Sequence, residues 1–470
     1  MADAVDERVR SSSALTRSDL LRRGTAAAFT IGMFGGLSDR ALGFYGPLKY
    51  AHKQQAGELR IMTWLHFVPA YDQWLDNTYV KRWGEANDVE VKVNHINNAL
   101  LYGNGASEIA GQSGHDLHWF ISPPSSYQKQ TVPVNDVVQE VTRRLGPMTK
   151  VARKSTYNPK TKQFYGFPES YAPDPVHYRR SYLQEVGGSL RTWEDLRKAA
   201  PKLKAIGHPV GLGMSNEIDS NMLLTSLLYC YGGFIQNEEN RIVIGQGANR
   251  RGAIEALQVM RDIYRNGMTD EVFAWTAASN NQAFVGGRLS VALNAISICR
   301  TAELQNQTIA DDTWLASIPR GPAMRMGNEH VMGVFVIWKF AKNKELAKKF
   351  LVDQQLGYRE HFVRSGYYNF PPWTGAIRGG FKTIRQLTAQ DTHKPRGKYT
   401  ILTTIAEKFT TNPGHPGNTT PVMDEIFNTF LIPQMFAEVA QGKSTPAEAV
   451  DGFARKAQGL YRKWKNQGLV

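Results

Sequence analysis

Cysteine is almost missing: Cys230 and Cys299 are the only two in 470 residues. So few exclude a disulfide framework, and neither lies in CxxC spacing; one bridge between them stays open, and both read as small core residues. Long runs of one charge are missing too. The formal charge is +14, but the basic residues come as scattered pairs such as Arg143-Arg144 and Arg250-Arg251. With no basic tract and no RNA-binding motif, nucleic acid is not expected as a partner. The uncharged stretch from Gly24 to Leu37 falls short of the roughly 20 residues that span a bilayer.

Catalytic signatures are equally scarce. There is no GxSxG elbow, and His115-Asp116-Leu117-His118 lacks the glutamate of a zinc-protease helix. Gly245, Gly247 and Gly252 superficially match a dinucleotide-binding turn, but the spacing is one residue too long and no strand follows the helix. No catalytic residue, no metal and no cofactor are therefore expected. A glycosidase-type carboxylate pair, Glu169 with Asp174 or Asp219, is left as the enzyme alternative, a secreted carbohydrate-active hydrolase.

What is present is an export-like amino terminus on a folded body of ordinary composition. Basic residues, the uncharged run and small residues at Ala41 and Gly43 follow one another in the order of a signal, predicted over 1–43, with a linker over 44–56. Thr16-Arg17-Ser18-Asp19-Leu20-Leu21-Arg22 resembles a twin-arginine signal, with Ser18 standing where the second arginine belongs. No cysteine precedes Cys230, which argues against a lipoprotein anchor. The expected location is periplasmic.

The body is long enough for two lobes. Strands are predicted at Glu58–Trp64, 89–93 and Asp116–Ile121, with a helix over Ala70–Trp83, a pattern that favours an α/β lobe with a parallel sheet. Ligands bind beyond the carboxyl ends of such strands, where Trp64, His66 and Trp119 fall. Thr192 to Asp195 reads as a capping box, Ile254, Leu257, Met260 and Tyr264 stripe one helix, and Asn343 is expected to cap another after the apolar strand 334–338. Thr445-Pro446-Ala447-Glu448 opens the clearest helix in the chain. Aromatic and amide-rich loops such as WLHF, PESYAPDP and SGYYNFPPW suit a neutral hydroxylated ligand. The acidic Glu169, Asp174, Glu217 and Asp219 would also suit a cation.

In QAFVGGRLSVALN, residues 282–294, two glycines end a helix and turn it into a short strand that stops on an amide, Asn294. With FYGFPESYAPDPVHYRRSYLQEVG, TWEDLRKAAPKL and HVMGVFVIWKFAKNKELAKKFL, in that order and spacing, it resembles the extracellular solute-binding proteins of family 1. These serve sugar-importing ABC transporters, the maltose-binding and glycerophosphodiester-binding proteins among them. The resemblance implies a two-lobe α/β fold of the periplasmic-binding-protein type, class II, with a hinge. The lobes would be 57–168 plus 334–380 and 169–333 plus 381–470. It further implies a monomer that captures a small solute and docks on permease subunits, or an exported sensing subunit of the same fold. Trp64, His66 and Trp119 would line one wall, Tyr171 and Asp174 the crossover, and Asn294, Gly333 and Tyr367 the opposing wall or hinge, with Asp219 a further ligand-binding candidate.

Overall fold

The computed structural model describes residues 57–470. The predicted signal and linker lie outside the described residues. Nine strands build two sheets: β1 (Gly57–Trp64), β2 (Val89–Ile96), β3 (Leu117–Phe120), β4 (Phe167–Ala172), β5 (Val176–Arg179), β6 (Val210–Gly211), β7 (Val291–Leu293), β8 (Thr313–Ala316) and β9 (Val331–Ile337). The first sheet runs β2-β1-β3-β9-β4 and the second β8-β5-β7-β6.

Only part of the first sheet is parallel. β1 pairs parallel with β2 and β3, as its alternation and the intervening helices predict, whereas β9 lies antiparallel to both β3 and β4. The reason is that β9 is a returning strand: it re-enters the sheet from the other half of the chain, without a crossover helix to set it parallel. Buried on every residue, it reads as an unbroken apolar run.

Two crossovers connect the sheets. The chain leaves the first between Ala172 and Val176 and returns between Ala316 and Val331. Sheet membership thus carries Glu169–Ala172 and Val331–Gly333 with the first sheet, against the expected lobe limits at 168 and 334; register pairing of β4 with β9 holds them there.

The helices that matter for the site follow from their caps and faces. α1 (Pro69–Trp74) continues through a π-helical turn, Leu75–Tyr79, into α2 (Val80–Asn87), and α3 (Leu101–Gly111) leads to β3. α4 (Trp193–Ala205) has the predicted capping box, closed by Asp195. α5 (Ile218–Cys230) is buried on all sides from Asp219 onward, so it has no polar stripe to betray it in sequence. α6 (Gly247–Gly267) starts earlier than its stripe suggests, and no strand precedes it, which removes the dinucleotide-turn geometry. Gly252 serves packing instead: a Cβ there would sit 2.1 Å from the Tyr231 carbonyl oxygen. Gly252→Ala is expected to destabilise by about 1–3 kcal/mol, read from the urea midpoint, because backbone and not a flexible side chain must yield.

α7 (Ser279–Val285) and α8 (Ser297–Gln305) flank β7; α9 (Lys344–Leu356) follows β9. Asn343 does stand at the N-cap of α9, but its amide donates to the Glu58 carbonyl and caps nothing. α10 (Pro446–Asn466) carries the Thr445–Glu448 capping box and buries Val450, Phe453, Ala457 and Trp464 in the core of the second sheet. Cys230 and Cys299 are both buried and unbridged. No helix among the described residues is long and apolar enough to cross a membrane.

Candidate functional site

The two crossovers place Asp174 and His330 side by side. His330 Nδ1 lies 3.1 Å from Asp174 Oδ1, and its Nε2 lies 3.2 Å from Asp219 Oδ1 at the start of α5. All three side chains are buried. Burial works against a charged ring, but the carboxylates on its two nitrogens outweigh burial and raise His330 to about 10. It is an imidazolium at neutral pH, joining both crossovers to the second sheet's helix.

Asp219 is held from behind by amides. Asn294 Nδ2 lies 3.0 Å from Asp219 Oδ2, 3.0 Å from Asn280 Oδ1 and 2.8 Å from Asn281 Oδ1, while Asn280 donates to the same Asp219 oxygen at 2.7 Å. The amide that ends β7 therefore faces neither solvent nor an open cleft. It orients Asp219. Glu217 is no wall residue either: it caps α5, accepting from the Asp219 and Ser220 amides, and burial with the adjacent Asp219 charge pushes it up to about 8.

An aromatic group at the end of β1 faces this cluster. Trp64 and Trp119 stack on each other, centroids 5.0 Å apart and planes at 10°, and Trp64 also meets His66, Phe67 and Tyr368. His66 is 4.9 Å from the Tyr368 ring and shares a 3.2 Å contact with Asn369; burial lowers it to about 4, so it is neutral. Burial first, then the charges of Asp219 and Asp174, push the Tyr368 phenol well above its ordinary value. The Tyr368 hydroxyl is buried within that field. Among the described residues neither it nor Asp174 Oδ2 has a hydrogen-bond partner, and Asp219 Oδ1 has only the His330 charge.

Several expected site residues stand elsewhere. Glu169 accepts from Ser170 at 2.6 Å, Tyr358 at 2.9 Å and the Trp119 indole at 3.4 Å, which fixes it behind the aromatic pair and away from Asp174. Gly333 leaves space for that contact, since a Cβ would lie 2.8 Å from Trp119 Nε1; it does not admit ligand to the backbone. Tyr171 packs on Phe370 with its hydroxyl unpartnered. Trp64 and Trp119 are 4% and 3% exposed, so neither offers a free face, and cutting either to alanine would cost about 3–5 kcal/mol of folding.

Tyr367 does not join the group, because it has a left-handed φ of 69° after Gly366 at 63° and turns the other way. Its ring lies 5.5 Å from the Arg300 guanidinium. Arg300 in turn binds Glu303 at 2.8 Å, Asp391 at 2.9 Å and the Gly366 carbonyl, and stacks 4.0 Å over Tyr399. Glu303, Asp391 and His393 bring donor atoms within 4.8 Å of one another, the spacing of a metal site. Arg300 and Lys398, the latter 2.7 Å from Glu303, already supply the cations there. His115 and His118 also share a carboxylate, Glu108, which takes the Trp338 indole as well. This is a buried structural triad inside the first sheet.

His330, Tyr368, Asn280 and Asn281 were not legible as site residues. The one available signal was a histidine directly ahead of the unbroken apolar strand β9, where the chain must cross between sheets.

Two sheets joined by two crossovers, with buried polar groups gathered at the crossing, define the two-lobe solute-binding class. The chain belongs to the bacterial extracellular solute-binding protein family, whose model matches residues 78–353. Solved structures of low identity share the fold. An ABC transporter solute-binding protein of Thermotoga lettingae, bound to α-D-tagatose, is 18% identical with a TM-score of 0.69, over 86% of this chain and all of that one. Maltose-bound MalE3 of Thermotoga maritima is 16% identical with a TM-score of 0.70, over 86% and 100%. A ribitol complex from Agrobacterium radiobacter is 16% identical with a TM-score of 0.68, over 86% and 98%. Comparison with curated proteins finds no match. The family and these neighbours are binding proteins, not enzymes, which overturns the hydrolase alternative.

Proposed function

We propose that the chain is the extracytoplasmic binding component of an ABC importer, capturing a small hydroxylated solute of sugar or sugar-derivative type and delivering it to a membrane permease from the periplasm. The observation that carries this reading is a set of buried oxygens left without hydrogen bonds: the Tyr368 hydroxyl from the first-sheet half, Asp174 Oδ2 at a crossover and Asp219 Oδ1 from the second-sheet half. Buried polar atoms of this kind are normally satisfied, and a polar solute supplies the missing partners. The sugars and the polyol held by the structural neighbours are consistent with that chemistry. We take the lobes as 57–172 plus 331–380 and 173–330 plus 381–470, of which strand membership supports the limits at 172/173 and 330/331. A solute held by groups from both halves would stabilise closure about the crossovers, so solute and closed form stabilise each other.

A thermal-shift screen over sugars, polyols and sugar derivatives is expected to find a solute that raises the melting point, with about 2.7 kcal/mol of stabilisation at a hundredfold excess over Kd. Product analysis should show the solute unchanged. Tyr368→Phe, which removes one oxygen and no volume of consequence, is expected to weaken that solute tenfold or more at an unchanged ligand-free melting point. Failure of every solute to shift the melt would defeat the proposal.

A further inference from the structure

The charges around the crossing do not balance. Two buried carboxylates, Asp174 and Asp219, share one imidazolium, His330. Asp219 has its second oxygen saturated by Asn280 and Asn294, neutral amides that orient it without cancelling its charge. The other groups that face the cluster bring no cation. His66 and His177 are kept neutral by burial, at about 4 and about 3, and Tyr368 contributes a hydroxyl. Glu217, pushed up to about 8 by burial and the adjacent Asp219 charge, is protonated at neutral pH and brings no charge of either sign. The nearest cations, Arg300 and Lys398, are matched by Glu303 and Asp391 in their own network.

Burial pushes the Asp174 carboxyl up against the opposing His330 charge, and its anionic form in a dry site is costly unless something positive joins it. Asp174 Oδ2 is the atom left over: its side chain is 0% exposed and it has no hydrogen-bond partner. The Tyr368 hydroxyl is equally buried and without a partner, and the Tyr368 ring is backed by Trp64 at 6.1 Å and His66 at 4.9 Å. An aromatic ring beside a carboxylate favours a cation over a neutral hydroxyl, since both the ring quadrupole and the anion act on it.

We infer that the captured solute carries an ammonium group as well as hydroxyls, an amino sugar or aminated polyol whose nitrogen lies between Asp174 Oδ2, Asp219 Oδ1 and the Tyr368 ring. This rests on the solute-capture reading above and names the class of its ligand. The ammonium donates to the oxygens that lack partners, and the hydroxyls reach the surrounding polar groups.

Matched pairs test it by calorimetry on the folded chain at pH 7: D-glucosamine against D-glucose, and 1-amino-1-deoxy-D-glucitol against D-glucitol. In the pairs that bind, the amino member is expected to bind tenfold or more tighter than its neutral partner. In Asp174→Asn, checked for an intact melting transition, that ratio should fall toward one; in Asp312→Asn, an acid on the far side of the second sheet paired with Arg179, it should stay. Equal or tighter binding of the neutral members overturns the inference and leaves solute capture standing. Binding by no member of either kind overturns both.

Discussion

His330→Leu is expected to cost about 3–5 kcal/mol of stability and to abolish solute binding. Among the described residues the imidazolium is the only group that touches both Asp174 and Asp219, at 3.1 and 3.2 Å, and removing it leaves two carboxylates buried together. Breaking a buried ion pair from one side carries a penalty of that size because the abandoned charge cannot regain water. Adding Asp174→Asn to the variant should restore part of the stability, since it removes one of the abandoned charges, but not the binding. The pH dependence has a definite sign. Folded His330 holds its proton up to about 10, against an ordinary value of 6.5, so its stabilisation is whole below about pH 6.5 and is lost as pH rises through about 10. Urea midpoints of the wild type and His330→Leu should therefore differ most near neutral pH and converge in alkali. A constant gap across that range would show that the ring acts by packing alone.

The elements that could be read from the residues are those governed by local rules. β2 alternates, α4 and α10 carry capping boxes, and the two glycines after α7 turn the chain with Gly287 at a φ of 77°. The elements that could not be read depend on distant partners. Nothing in β9 says that it will run antiparallel to β3, because that is decided by where the second half of the chain ends. α5 was unreadable because its uniform burial erases the helical stripe. The site shows the same division. Asp174 and Asp219 were found as acids near the crossing, yet their common partner His330 is 156 residues from the first of them. Tyr367 was expected at the wall or hinge, and its place beside Arg300 depends on a left-handed backbone at Gly366 and Tyr367 that no local pattern announces. Asn294 was legible as a special position, but its contact with Asp219 turns a supposed ligand residue into one that holds another.

Arg300→Met is the second change expected to have a large effect, again about 3–5 kcal/mol, and here binding should suffer only through the fold. Methionine fills much of the aliphatic stem, so the loss isolates the guanidinium. That group reaches Glu303, Asp391 and the Gly366 carbonyl from α8, tying the second-sheet half to the turn that aims Tyr367 away from Tyr368. Lys398 and Tyr399 still meet Glu303 in the variant, at 2.7 and 2.6 Å, whereas Asp391 keeps only His393. Asp391 is therefore the group whose titration reports the loss. Burial pushes its carboxyl up, but His393 and Arg300 outweigh burial and hold it well below the usual range. A depressed folded value means stability that is present above the ordinary carboxylate pKa of about 4 and lost as pH falls through the folded value. Acid unfolding of the wild type should accordingly steepen below about pH 4, and Arg300→Met should flatten that dependence as well as lower the neutral-pH midpoint. Arg300→Lys retains the charge without the planar fork that serves three acceptors at once, so it should fall between the two. If Arg300→Lys matched the wild type, the network would be held by charge alone, and the stacking of Arg300 over Tyr399 at 4.0 Å would be incidental.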